Sequence, residues 1–333
     1  MDKSKKIKYV SRAIKFLIVL LPIAFIYNQI VAEWHEKGIS SLNPIQYLEQ
    51  NWPLFFIVLG LVFFNWGFEA LKWKFLVSKV QKVNFWQSYK GVLSGVTISI
   101  FAPLRTGEYI GRVLHLEPEN RISGSVLSVY GSMIQLFITI FCGAVAWVFF
   151  FDELLLSDVL YRGLITASFF VVLSSMFLSL IKPSWVVFLV RKTRLPEKWK
   201  NYFNVLADFN LPQLLIQGIL VSFLRYSVFS LQFYFAVDLF GVHLPFWNGI
   251  AIVSFTFLGL SFLSLSALME LGFTRATIFL TLFTLCSKES YHQENMGTAI
   301  WLASTLIWLV NLALPALTGA ILMYGVKIFK EKE

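Results

Sequence analysis

The sequence predicts an all-α polytopic membrane protein with about six full transmembrane helices plus two re-entrant helical hairpins. Three observations predict it. Of the 333 residues, 57% are apolar and only 14% are charged, more hydrocarbon than a water-soluble fold of this length hides. Long uncharged runs alternate with clusters of lysine and arginine, the pattern of a chain whose cytoplasmic loops carry the positive charge. Two further apolar segments must return to the side from which they start.

A span needs about 20 apolar residues to cross a hydrocarbon core of about 30 Å. Full spans are expected near Ala13 to Ala32, Pro53 to Leu71, Ser123 to Phe151, Leu160 to Ile181, Leu214 to Val237 and Thr298 to Val326. Lys3, Lys5, Lys6, Lys8, Arg12 and Lys15 precede or open the first run. That run is long and lacks a small-residue cleavage site after Val31 and Ala32, so it reads as a retained helix rather than a signal peptide.

Charge sets the orientation. The connection after Leu71 carries Lys72, Lys74, Lys79, Lys82 and Lys90 with no acid, and the one after Ile181 carries Lys182, Arg191, Lys192, Arg194, Lys198 and Lys200. Both are expected in the cytoplasm, with the two termini. Glu33, Glu36 and Glu49, then Asp152, Glu153 and Asp158, then Glu289 and Glu294 mark the outer side. The formal charge of +9 follows from this topology, and no nucleic-acid partner is expected.

The segments Gly91 to Leu116 and Trp247 to Cys286 are left over, and parity makes each a candidate re-entrant hairpin. Gly91 to Ala102 spans roughly 18 Å as a helix, too short to cross, and Pro103 marks a break. The later limb, Ile250 to Leu268, is nearly long enough to span, so parity carries that hairpin. The whole chain, 1–333, reads as one membrane domain. Its halves, 1–152 and 153–333, repeat the order span, span, hairpin, span with inverted topology. The hairpin tips read FAPLRTGEYIGR and LSALMELGFTRA.

Charges inside these segments are the candidate site. Arg105, Glu108 and Arg112 fall three and four apart, on one face of a helix that begins after Pro103. An ion at membrane depth costs about 2.5 to 3.5 kcal/mol on insertion scales, so such groups pair or line water. The plain alternative is a tip that rests in the cytoplasmic headgroup layer. Gly107 and Gly111 suit either close helix packing or approach of a headgroup phosphate to the backbone. The second tip supplies Glu270, Gly272 and Arg275, an acid and a base that serve equally as a structural pair.

Arg225 lies about halfway along its span, on a stripe with Gly218, Ser222, Phe229 and Gln232. Asn65 and Glu69 sit four apart on the second span, and Glu69 or Glu108 is placed to neutralise Arg225. Ser125, Ser128, Ser132, Gln135 and Thr139 form another polar stripe, read as helix packing rather than a site. Trp34, Trp52, Trp73, Trp86 and Trp247 lie near span ends, as in an interfacial belt. Cys142 and Cys286 are too few for a disulfide framework. The sequence shows no GxxxxGK loop and no Cys/His metal spacing, and His35, His115, His243 and His292 are scattered. No cofactor and no metal are expected.

The segment order and the tip PLRTGEYIGRVL resemble the lysylphosphatidylglycerol synthase transmembrane region family. Its members carry a Pro-x-Arg-x-Gly-Glu element, matched here by Pro103, Arg105, Gly107 and Glu108. Many also carry a Pro/Gly-rich stretch followed by glutamate near the C-terminal hairpin. Here SLSALMELGFTRA lacks the proline, Gly272 fits, Glu270 is displaced and Arg275 stands near the expected acid. That departure bears on substrate more than on fold.

The resemblance implies a flippase-like translocator of the bacterial inner membrane with lipids as partners. The chain has no soluble aminoacyl-transfer domain, so a separate lipid-synthesising enzyme would supply the lipid. Arg105 and Arg112 would hold a phosphate, Glu108 and Glu270 would meet a cationic group or balance the arginines, and Arg225 would set the field. The rivals are an intramembrane lipid-modifying enzyme using Glu108 or Glu270 as base, and a scaffold without transport. No nucleophile, metal set or histidine is placed beside these acids, which weighs against an enzyme.

Overall fold

The structure, a computed structural model, describes residues 44–100, 102, 106–151, 158–194, 196–207, 211–263, 273–286 and 296–323. Regular structure among them is helical throughout. Helix α1 (Pro44–Gln50) leads into α2 (Trp52–Val77), α3 (Phe85–Ser99), α4 (Gly107–Val113) and α5 (Arg121–Ala146). Then come α6 (Val159–Ile181) and the short helices α7 (Ser184–Arg191), α8 (Glu197–Tyr202) and α9 (Asn204–Ala207). The last are α10 (Leu211–Leu239), α11 (Phe246–Leu263), α12 (Phe273–Cys286), α13 (Met296–Trp308) and α14 (Leu314–Met323). A wide, π-helical turn, Leu309–Ala313, joins the final pair.

Among the described residues five stretches are long and apolar enough to cross a membrane: Trp52–Val77, Pro118–Phe150, Val159–Ile181, Gln213–Leu239 and Met296–Met323. The chain is a multi-pass membrane protein. These are the expected spans from the second onward, while Ala13 to Ala32 lies outside the described residues. One boundary differs: α2 runs on to Val77 instead of stopping at Leu71. Lys72 therefore belongs inside the helix, not in a cytoplasmic connection, because Glu69 one turn earlier supplies its counter-charge.

Packing centres on α10, which lies along α2 and also touches α5, α11 and α13. By contrast α6 contributes a single buried residue, Leu180, and turns Leu164, Phe170 and Val171 outward. In a bilayer such a face is solvated by lipid chains. Trp52, Trp86 and Trp247 are exposed as an interfacial belt requires. Trp73 is not; it is buried against α3 and α5, since α2 continues past it and places it on the packed face.

Helix α3 begins at a capping box, with Asn84 accepting from the Gln87 amide at 2.8 Å and the Gln87 side chain accepting from the Asn84 amide at 3.0 Å. Helix α4 then lies against α3 with backbone nearly touching backbone. A Cβ on Gly107 would sit 2.5 Å from the Ile98 carbonyl, and one on Gly95 would sit 2.8 Å from the Glu108 carbonyl oxygen. A Cβ on Gly111 would run into Gly95 and the Ser94 carbonyl oxygen. Of the two roles expected for Gly107 and Gly111, close helix packing is the one observed. On the other side α14 docks through Thr97, whose hydroxyl donates to the Ala316 carbonyl at 2.7 Å. Gly319 there leaves room for the Leu93 backbone.

Overpacking against backbone costs about 1–3 kcal/mol. Gly111→Ala is expected to lose that much stability in thermal unfolding of detergent-solubilised protein. Gly60→Ala, where nothing lies within 4 Å of the added carbon, is expected to leave it unchanged.

Candidate functional site

Three side chains of α2, Asn65, Glu69 and Lys72, fall at i, i+4 and i+7 and so share a face. That face looks toward α4, α5 and α10. Glu69 is the centre: its carboxylate is 2.7 Å from Lys72 Nζ, 2.8 Å from Arg112 Nη1 on α4 and 2.8 Å from Arg225 Nη1 on α10. Its side chain is only 2% exposed. Arg112 turns its other terminal nitrogen to Glu108, 3.0 Å away and one helical turn earlier.

Amides extend the cluster. Arg225 donates from Nε to Asn65 at 3.1 Å and from Nη1 to Gln135 at 3.4 Å, and Lys72 donates to the same Gln135 oxygen at 3.5 Å. Asn65 donates to Asn311 at 2.8 Å, Asn311 to Gln232 at 2.9 Å, and Gln232 to the Val58 carbonyl at 2.7 Å. One connected network thus ties α2, α4, α5, α10 and the π-helical turn together. Each amide oxygen in it faces a donor, as burial away from water demands. The five ionised side chains comprise three cations and two carboxylates, so one positive charge is in excess within the cluster.

Arg225 also borders a cavity of about 240 Å³ whose polar wall includes Asn65, Gln135, Thr139, Arg275 and Asn311. The opposite character comes from aromatic rings, among them Phe229 and Phe257, stacked with centroids 4.8 Å apart. The Arg275 guanidinium sits 5.9 Å from the Phe229 ring and 5.8 Å from Phe233, and that of Arg225 lies 5.4 Å from Trp66. Such contacts hold cations on a mostly apolar wall.

The expected site residues divide accordingly. Glu108, Arg112 and Arg225 converge on one network, and Arg275 joins Arg225 at the cavity. Of the two acids offered to Arg225, Glu69 is its partner, while Glu108 pairs with Arg112. Arg105, Pro103, Glu270 and Gly272 lie outside the described residues.

Three members went unrecognised in the sequence: Lys72, Gln135 and Asn311. Lys72 looked like the start of a loop. Ser125, Ser132 and Thr139 each donate to the carbonyl four residues earlier, and Thr139 also borders the cavity. Gln135 departs from them by reaching both cations. Its longer amide among hydroxyls was the available signal, as was Asn311, a buried amide within the long apolar stretch Met296–Met323.

Removing one partner of a buried ionic cluster costs about 3–5 kcal/mol because the remaining charges lose their counter-ion. Glu69→Gln is expected to show a loss of this size in chemical denaturation in detergent, whereas Glu197→Gln, in the exposed pair with Lys200, is expected to show none. No family model, curated protein or solved structure matches this chain.

Proposed function

We propose that this protein translocates a membrane lipid, the headgroup passing through the polar cavity while the acyl chains remain in the bilayer. The observation that carries the reading is the cavity itself. It places two guanidinium groups and several amides among membrane-spanning helices, where polar groups are expensive unless they serve a pathway. Its volume of about 240 Å³ lies below the ~300–1,000 Å³ typical of pockets for drug-sized ligands. That suits a headgroup and not a whole lipid.

Helix lengths support the hairpin reading. At 1.5 Å per residue α3 is about 22 Å long and α4 about 10 Å, so neither crosses a core of about 30 Å alone. α11, at about 27 Å, comes close, and its pairing with α12 is the second hairpin. The order long helix, two short helices, long helix runs from α2 to α5 and again from α10 to α14. It is consistent with an inverted repeat whose halves rock to alternate access. The tip motif's resemblance to the lysylphosphatidylglycerol synthase transmembrane region points the same way. In this reading the protein resides in a bacterial inner membrane with cytoplasmic termini, a separate enzyme makes its lipid, and a gradient or mass action drives the movement.

The rival enzyme would use Glu108 or Glu270 as its base; Glu108 is held by Arg112, which weighs against it, and Glu270 lies outside the described residues. The test is lipid movement in proteoliposomes, with fluorescent phospholipids and dithionite quenching of the outer leaflet. Thr139→Leu fills the cavity from a position whose hydroxyl bonds only its own helix at Gln135. Wild-type protein is expected to move lipid, and Thr139→Leu of equal stability to fall to the rate of protein-free vesicles. No movement of any headgroup, native lipid extract included, would sink the reading.

A further inference from the structure

We infer that the cavity is an anion seat: it binds headgroups through a phosphate or similar oxyanion on Arg225 and Arg275, with Glu69 as the built-in anion that tempers their affinity. The inference rests on reading the cavity as a headgroup site and names the chemical class of its occupant.

Arg225 has one edge committed and one edge open. Nε serves Asn65, and Nη1 serves Glu69 and Gln135. Nη2 donates to no described residue. The side chain is 21% exposed, against 2% for Glu69 and 4% for Arg112, and Arg225 borders the cavity. A guanidinium presents five N–H donors in a planar fork that matches carboxylate and phosphate oxygens. The fork of Arg225 is half filled by protein and half presented to whatever enters.

The rest of the wall fits the same class. Among the described lining residues are two arginines and no carboxylate. The Asn65 and Gln135 oxygens already accept from Arg225, and the Asn311 oxygen accepts from Asn65. The wall therefore offers an incoming group two guanidinium cations, with the amide oxygens already engaged and the Thr139, Tyr226 and Ser261 hydroxyls beside them. An amine headgroup would meet the open edge of Arg225 as a like charge, a juxtaposition that disfavours it in recognition. An oxyanion would gain charge-assisted hydrogen bonds.

Glu69 keeps this attraction moderate. It already neutralises part of Arg225 and is itself anchored by Lys72 and Arg112, so it stays in place when a ligand arrives. Binding is then strong enough to select and weak enough to release. The carboxylate competes with the ligand for one guanidinium, so weakening the carboxylate strengthens the ligand.

The experiment is equilibrium binding to the purified full chain in detergent, using short-chain phosphatidylglycerol, short-chain phosphatidylcholine and inorganic phosphate in separate arms. Wild type is expected to bind phosphatidylglycerol about tenfold tighter than phosphatidylcholine, because both carry the phosphate but only phosphatidylcholine brings a cation against the arginines. Arg225→Lys keeps the charge that faces Glu69 but loses the fork, and is expected to weaken the binding of phosphatidylglycerol and of inorganic phosphate about tenfold. Glu69→Gln is expected to tighten anion binding, a gain that misfolding does not produce.

Inorganic phosphate binding as tightly as phosphatidylglycerol would support the seat and name the free ion as its occupant. Equal binding of the two lipids by wild type, with no effect of Arg225→Lys, would overturn it. Lipid transport without charge preference would defeat this inference and leave the translocator standing. Selective anion binding without transport would do the reverse.

Discussion

Three cations from two different helices and a short third one meet a single carboxylate, Glu69, whose side chain is almost fully buried. Bringing an ion out of water costs several kcal/mol even after relaxation, and mutual attraction repays it only when geometry is good and remaining lone pairs are used. The neighbouring helices meet that condition together. α4 must deliver Arg112, α10 must deliver Arg225, and α5 must offer Gln135 to accept from both Lys72 and Arg225. Shifting any one of them by a turn strands a charge.

The glycine contacts between α3 and α4 follow from this constraint. Arg112 reaches Glu69 only because α4 lies in the groove of α3, with Gly95, Gly107 and Gly111 removing the side chains that would hold the two apart. In lipid there is little hydrophobic drive between helices, so close backbone approach and polar contacts do the associating. Here the two act at the same junction: the glycines permit the approach and the arginine fixes its register. Thr97 and Gly319 repeat the arrangement on the opposite side of α3, without charge.

The apolar runs marked the five described spans to within a few residues because hydropathy over 20 residues averages out single exceptions. Arg225 was legible for the same reason in reverse, as a lone charge midway along such a run. Asn65 and Glu69 were legible by their spacing. Lys72 was lost because a lysine at the end of an apolar run is the ordinary sign of a loop, and only the pairing with Glu69 says otherwise. Trp73 was misplaced by the same boundary. Gln135 and Asn311 were hidden differently: an amide's role depends on which helix lies opposite, and hydropathy carries no information about that.

The π-helical turn Leu309–Ala313 separates two jobs on one membrane-crossing stretch. Before it Ile307 and Trp308 border the cavity, within it Asn311 joins the amide chain, and beyond it Gly319 receives the α3 backbone. Pro315 lies just past the turn, where it has no N–H to offer and its ring crowds the carbonyl four residues back, which the wider turn relieves. The turn thus acts as a phase setter between the two halves. The π turn takes one residue more than an α turn, so forcing the same residues into an unbroken α-helix would rotate everything downstream by roughly 100°, turning Gly319 away from Leu93 while leaving the hydropathy of the stretch unaltered. The chain would still insert, but its last helix would present the wrong side to its neighbours.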